Sequence, residues 1–141
     1  MLPAMSEGRV VREDPYCLVR WEPTLRLVTF VRNATRIPDL ETGKRMFAAL
    51  ASVDVGDADR ILSDLREAPG NNTPEWENAF DQAGRRFFFE RFPRRAALVR
   101  TLAGKLQVER IARASRSSES FRAFLDEAEA RTWLLAFGSV P

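Results

Sequence analysis

Histidine is absent from the 141 residues, and cysteine occurs once, at Cys17. Without an imidazole the chain lacks the commonest general base near neutral pH, so neither a Ser-His-Asp nor a Cys-His mechanism can be assembled from it. Four-ligand Cys/His zinc sites fall to the same count. A lone cysteine also excludes an intrachain disulfide, and a reducing, cytoplasmic location is expected. No apolar run approaches the roughly 20 residues of a membrane helix, and residues 1–8 lack the basic-then-apolar layout of a signal peptide. Gly104-Lys105 has no upstream glycine pattern, so no P-loop is present. With no metal cluster and no paired-carboxylate motif, no cofactor is expected. Carboxylate-only or lysine-based chemistry is the catalytic route left open, and the chain is expected not to be an enzyme.

What is present is apolar material for one core: 45% of the residues are hydrophobic and ten are phenylalanine. A single domain over residues 15–141 is expected, preceded by a loosely ordered arm over 1–14. The net charge of +2 is unevenly spread. Residues 38–81 hold ten acidic side chains against four basic ones, and residues 85–116 hold ten basic against two acidic. The basic half reads first as a solvated face. Nucleic acid is not an expected partner, because the arginines alternate with apolar residues and the acidic half repels a polyanion. A homodimer that sets the acidic half of one copy on the basic half of another is one expectation. A different protein is the other.

The spacing of apolar residues predicts an α/β domain. Tyr16 to Trp21 and Leu25 to Val31 read as strands joined by Glu22-Pro23-Thr24 into a hairpin, with Val28 and Phe30 on the face opposite Leu25, Leu27, Thr29 and Val31. Asp39 is placed to cap a helix to about Ser52 with Leu40, Gly43, Phe47 and Leu50 on one side. Arg60 to Arg66 reads as a buried central strand with Ile61, Leu62 and Leu65 in the core. A polar loop, Glu67 to Thr73, and a helix opened by Thr73-Pro74 and running to about Phe92 follow. Ala96 to Val99 is a short strand, Thr101 to about Ser115 a helix with Leu102 and Leu106 in its apolar pattern, and Phe121 to Leu125 a last edge strand. Asp126 opens a closing helix bearing Ala130, Trp133, Leu134 and Phe137 on one face. The order is β-β-α-β-α-β-α-β-α, a mixed sheet of about five strands with helices mainly on one face.

The junction after the central strand is where open α/β sheets place their working surface. Asp64 and Arg66 are candidates there, either as functional residues or as a pair that tethers the loop. Asn71 and Asn72 are turn residues that tolerate left-handed backbone. Thr73 reads first as a helix cap worth about 1 kcal/mol and second as a phosphoacceptor favoured by the helix dipole. Three adjacent phenylalanines cannot all face one core from one helix. The surplus among Phe87, Phe88 and Phe89, with Trp76 and Phe80, is the candidate lining of an apolar pocket.

The closing phrase Phe124-Leu125-Asp126-Glu127-Ala128-Glu129-Ala130-Arg131-Thr132-Trp133-Leu134, together with Asp64-Leu65-Arg66 ending the central strand, resembles the SpoIIAA-like branch of the STAS domains. The resemblance covers about residues 16–137. It implies the anti-sigma-factor-antagonist fold and a non-catalytic, regulatory protein-interaction role in a bacterial cytoplasm. Members of the wider family carry an Asp-Ser/Thr-Ser/Thr-Gly phosphoacceptor phrase at the end of that strand, and this chain reads Asp64-Leu65-Arg66-Glu67 instead. The branch also resembles Sec14-type lipid-binding domains, which implies a small apolar or lipid-like ligand as the alternative.

Overall fold

The computed structural model describes residues 8–69, 91–114 and 120–136. Six strands, β1 (Arg9–Glu13), β2 (Cys17–Glu22), β3 (Leu27–Arg32), β4 (Arg60–Asp64), β5 (Arg94–Leu98) and β6 (Phe121–Phe124), form one sheet in sequence order. β1, β2 and β3 are antiparallel, and β3 through β6 are parallel. Three described helices accompany them: α1 (Leu40–Ala51), α2 (Leu102–Ala114) and α3 (Glu127–Leu135). The fold is a mixed α/β sheet, as the apolar spacing predicts.

The period-two alternation of β3 and β4 divides the core in two. Val28, Phe30 and Ile61 point to one face, where Met46, Phe47 and Leu50 of α1 cover them together with Cys17, Val19, Val55 and Phe92. Leu27, Leu62, Ala96, Leu98 and Phe124 point to the other, where Ala130 and Leu134 of α3 cover them. Each fully buried Leu, Ile or Phe of these layers contributes about 1.5–3 kcal/mol. Right-handed crossovers that step the same way along a sheet land on the same side, so α1 (β3 to β4) and α2 (β5 to β6) share a face. Gly104 of α2 accordingly sits against Val99, its Cβ position 3.6 Å from the valine Cβ. α3 follows the last strand and takes the opposite face, so the helices are not confined to one side.

Local chemistry sets the element ends. Asp39 caps α1, its Oδ1 accepting from the Thr42 N–H at 2.7 Å. The β2–β3 hairpin turns through a 3₁₀ turn at Pro23–Leu25 and closes on Arg26, whose φ of 54° is left-handed. The freed Arg26 carbonyl then accepts from the N–H groups of Asp59 and Arg60, which sets the height at which β4 enters beside β3.

Four particulars differ from the sequence spacing. Arg9–Glu13 is a strand rather than part of a loose arm. As an edge strand with its register shifted between Val10 and Arg12, it shows no clean alternation. In α1 Met46 (4% exposed) joins Gly43, Phe47 and Leu50 on the buried face, whereas Leu40, the first residue of the helix, is 40% exposed where the spacing predicts it inward. Leu102 and Leu106 of α2 are 62% and 58% exposed rather than inward. β4 stops at Asp64, two residues before Arg66.

Candidate functional site

The four parallel strands run out at the same end of the sheet, and β4 ends there in Asp64. Counting by twos, Asp64 lies on the same face as Arg60 and Leu62, the face that α3 covers. Its carboxylate forms a self-contained turn with the residue two positions on: Oδ1 accepts from the backbone N–H of Arg66 (3.2 Å) and from Arg66 Nε (3.0 Å), and Oδ2 accepts from Arg66 Nη2 (2.8 Å). The same Nη2 donates to Glu127 Oε1 at 3.1 Å, 61 residues away in the first turn of α3. On the other side, the Arg100 guanidinium, just beyond β5, donates to the Arg66 carbonyl and to Glu67 Oε2 (3.3 Å). The first residues of the loop after β4 are thereby bolted to the two neighbouring elements.

The electrostatics follow from the contacts. Burial pulls the Asp64 carboxyl up, but hydrogen bonds from the Arg66 side chain and backbone outweigh it and leave the group below the usual carboxylate range. Arg66 is shifted upward, chiefly by its hydrogen bonds to Asp64, with the charge of Glu127 adding to it. Both groups are therefore ionised at neutral pH, and both Asp64 oxygens are already accepting. The arrangement anchors a loop and presents alternating charge. Leu102 and Leu125, the latter 48% exposed, emerge at this same end, after β5 and after β6.

The structure thus joins Asp64 to Arg66, the pair singled out from sequence, and adds Glu67, Arg100 and Glu127. Glu127 was visible only as a letter in the closing phrase, and Arg100 only as one of ten basic residues. Asn71, Asn72, Thr73, Trp76, Phe80, Phe87 and Phe88 lie outside the described residues. Ser63, a hydroxyl near the junction, is buried within β4. Among the described residues no group of His, Cys, Asp and Glu side chains is arranged to hold a metal ion. None of their helices is long and apolar enough to cross a membrane.

No protein-family model matches the chain, and no curated protein sequence matches it. Among solved structures it is similar to an uncharacterised protein of the DUF3478 family with a SpoIIAA-like fold from Shewanella loihica PV-4. The match has a TM-score of 0.53 at 16% identity and covers 90% of this chain and 91% of that one. The fold is SpoIIAA-like. This agrees with the resemblance carried by Asp64-Leu65-Arg66 and by the closing phrase, whose Glu127 and Leu134 prove to be a site contact and a core residue. In the SpoIIAA-like frame the Asp64–Arg66 turn occupies the end of the central strand.

Proposed function

We propose that this chain is a non-catalytic, regulatory protein-interaction module of the bacterial cytoplasm, which binds another protein through the carboxyl end of its parallel strands. The observation that carries the reading is the anchored start of the loop after β4. Asp64, Arg66, Glu127 and Arg100 hold it in place beside two leucines left in solvent, and an ordered polar frame around exposed apolar side chains is how protein interfaces are composed. A saturated, ionised carboxylate and a chain without histidine give the same surface little to offer as an acid or a base.

Native mass spectrometry of the protein purified from its own cells tests this reading, with Leu102→Asp as the matched variant. The expected outcome is a second polypeptide held by the wild type and reduced about tenfold in the variant, which corresponds to the loss of one buried leucine contact. Retention of the partner by Leu102→Asp would move the interface elsewhere. A small-molecule mass lost on denaturation would replace the reading with the apolar-ligand alternative.

A further inference from the structure

The outward face of α2 is apolar where the helix begins and cationic where it ends. Leu102, Leu106, Arg110 and Arg113 stand three or four residues apart in succession, so they form a single stripe about 16 Å long. Leu102 and Leu106 are 62% and 58% exposed, and Arg110 and Arg113 are exposed beyond them. Neither arginine holds a hydrogen bond or an ion pair among the described residues. The helix is fixed in this orientation from behind. Gly104 lies against Val99, and Glu109, the one acidic residue of α2, accepts from the Ala123 N–H at 3.3 Å through Oε2.

Arginines elsewhere have carboxylate partners: Arg66 has Asp64 and Glu127, Arg100 has Glu67 and Arg131 has Glu22. Arg110 and Arg113 are permanently charged and left open next to two open leucines. Large apolar side chains one turn apart and more than half exposed mark an interaction surface, and the charge beside them sets its chemistry. Carboxylates favour the first turns of a helix and cations the last, where Arg113 lies. A partner helix running antiparallel to α2 therefore sets its own acidic first turns against Arg110 and Arg113 and brings its following apolar residues onto Leu106 and Leu102. A bilayer fits less well. Two leucines make a narrow face for interfacial insertion, and the inward residues cannot turn out to widen it while Gly104 and Glu109 are held against the sheet. Nucleic acid gains nothing from leucines, and no aromatic ring stands on α2 to stack a base.

We propose that α2 is the recognition strip for the partner protein of the carboxyl-end surface, and that the partner lays an acidic amphipathic helix along it. The proposal rests on the reading of the chain as a protein-interaction module and assigns the partner's chemistry. Carboxylates meet Arg110 and Arg113, and leucine-sized side chains meet Leu106 and Leu102.

Fluorescence anisotropy of labelled helical peptides with the full chain tests this. One peptide carries glutamates in its first turns and leucines in its later turns on a single face, and a second of the same composition sets glutamates and leucines on opposite faces. The first is expected to bind at least about tenfold more tightly. Arg110→Gln with Arg113→Gln should weaken it about tenfold. Lys44→Gln with Arg45→Gln, the same charge change at exposed residues of α1, should weaken it less than about threefold. Circular dichroism checks that both double variants are folded, since all four positions are exposed. Equal binding of the two peptides, equal weakening by the two double variants, or stronger binding of phosphatidylglycerol vesicles than of the first peptide would overturn the proposal. If neither peptide binds while Leu102→Asp still loses the native partner, the strip is overturned and the interaction reading stands. Absence of any second polypeptide on the wild type removes that reading and the proposal with it.

Discussion

Asp64 joins a turn, an ion pair and a titration in one side chain. Its carboxyl is held below the ordinary value, burial working upward and the Arg66 hydrogen bonds downward with the larger effect. A depressed carboxyl contributes stability above its unfolded value of about 4 and loses it as the pH falls through the folded value. Arg66 is 38% exposed on its side chain, so the pair is partly screened. Asp64→Asn is expected to cost about 1 kcal/mol at neutral pH. The gap to wild type should close below about pH 4, as urea titrations at neutral and acid pH would measure. Cys17 moves the other way: burial first, and then the Asp14 carboxylate beside it, push the thiol up to about 12. Its contribution is complete below the unfolded value of about 8.5 and is lost as the pH rises toward the folded one. Alkylation of the native protein by iodoacetamide at mildly alkaline pH should run roughly a hundredfold slower than in denaturant.

At the scale of elements, the contrast between α2 and α3 decides what each helix does. Leu134 of α3 is fully buried against Leu62, Ala96 and Leu98, whereas Leu106 of α2 is mostly in solvent. Leu134→Ala should cost about 2–5 kcal/mol, and Leu106→Ala should stay within about 0.5 kcal/mol, both read from chemical denaturation. An equal cost at the two positions would mean that α2 is covered in solution. Apolar letters at helical spacing do not separate these cases, since a stripe facing a sheet and a stripe facing a partner have the same period. In α1 the spacing finds the inward residues Gly43, Phe47 and Leu50, but it includes the exposed Leu40 of the first turn and omits the buried Met46.

At the scale of the whole molecule, one buried ion pair ties the end of the chain to its beginning. Arg131 Nη1 and Nη2 donate to Glu22 Oε1 and Oε2, each at 3.2 Å, across 109 residues of sequence. Glu22 is 6% exposed, so removing either partner leaves the other poorly solvated. Arg131→Met should therefore cost about 2–4 kcal/mol, toward the lower end of buried pairs because Arg131 is partly solvated. The double replacement Glu22→Leu with Arg131→Met should recover a large part of that loss. Costs that simply add in the double-mutant cycle would show that the pair carries no coupling. Because this bridge joins β2 to α3, its loss should lower the unfolding midpoint of the entire sheet in one transition.

The sequence by itself determined the mixed α/β class, the two-faced hairpin, the Asp39 cap and the pairing of Asp64 with Arg66, since alternation, caps and short-range ion pairs are chemistry between residues a few positions apart. It also placed Asp64 and Arg66 at the end of the central strand. Only the tertiary structure recruited Glu127 and Arg100 to that turn, promoted Arg9–Glu13 to an edge strand, and left Leu102 and Leu106 in solvent. Those outcomes depend on strand order and register, which bring together groups dozens of residues apart and decide which of two chemically equivalent faces meets the sheet and which meets water.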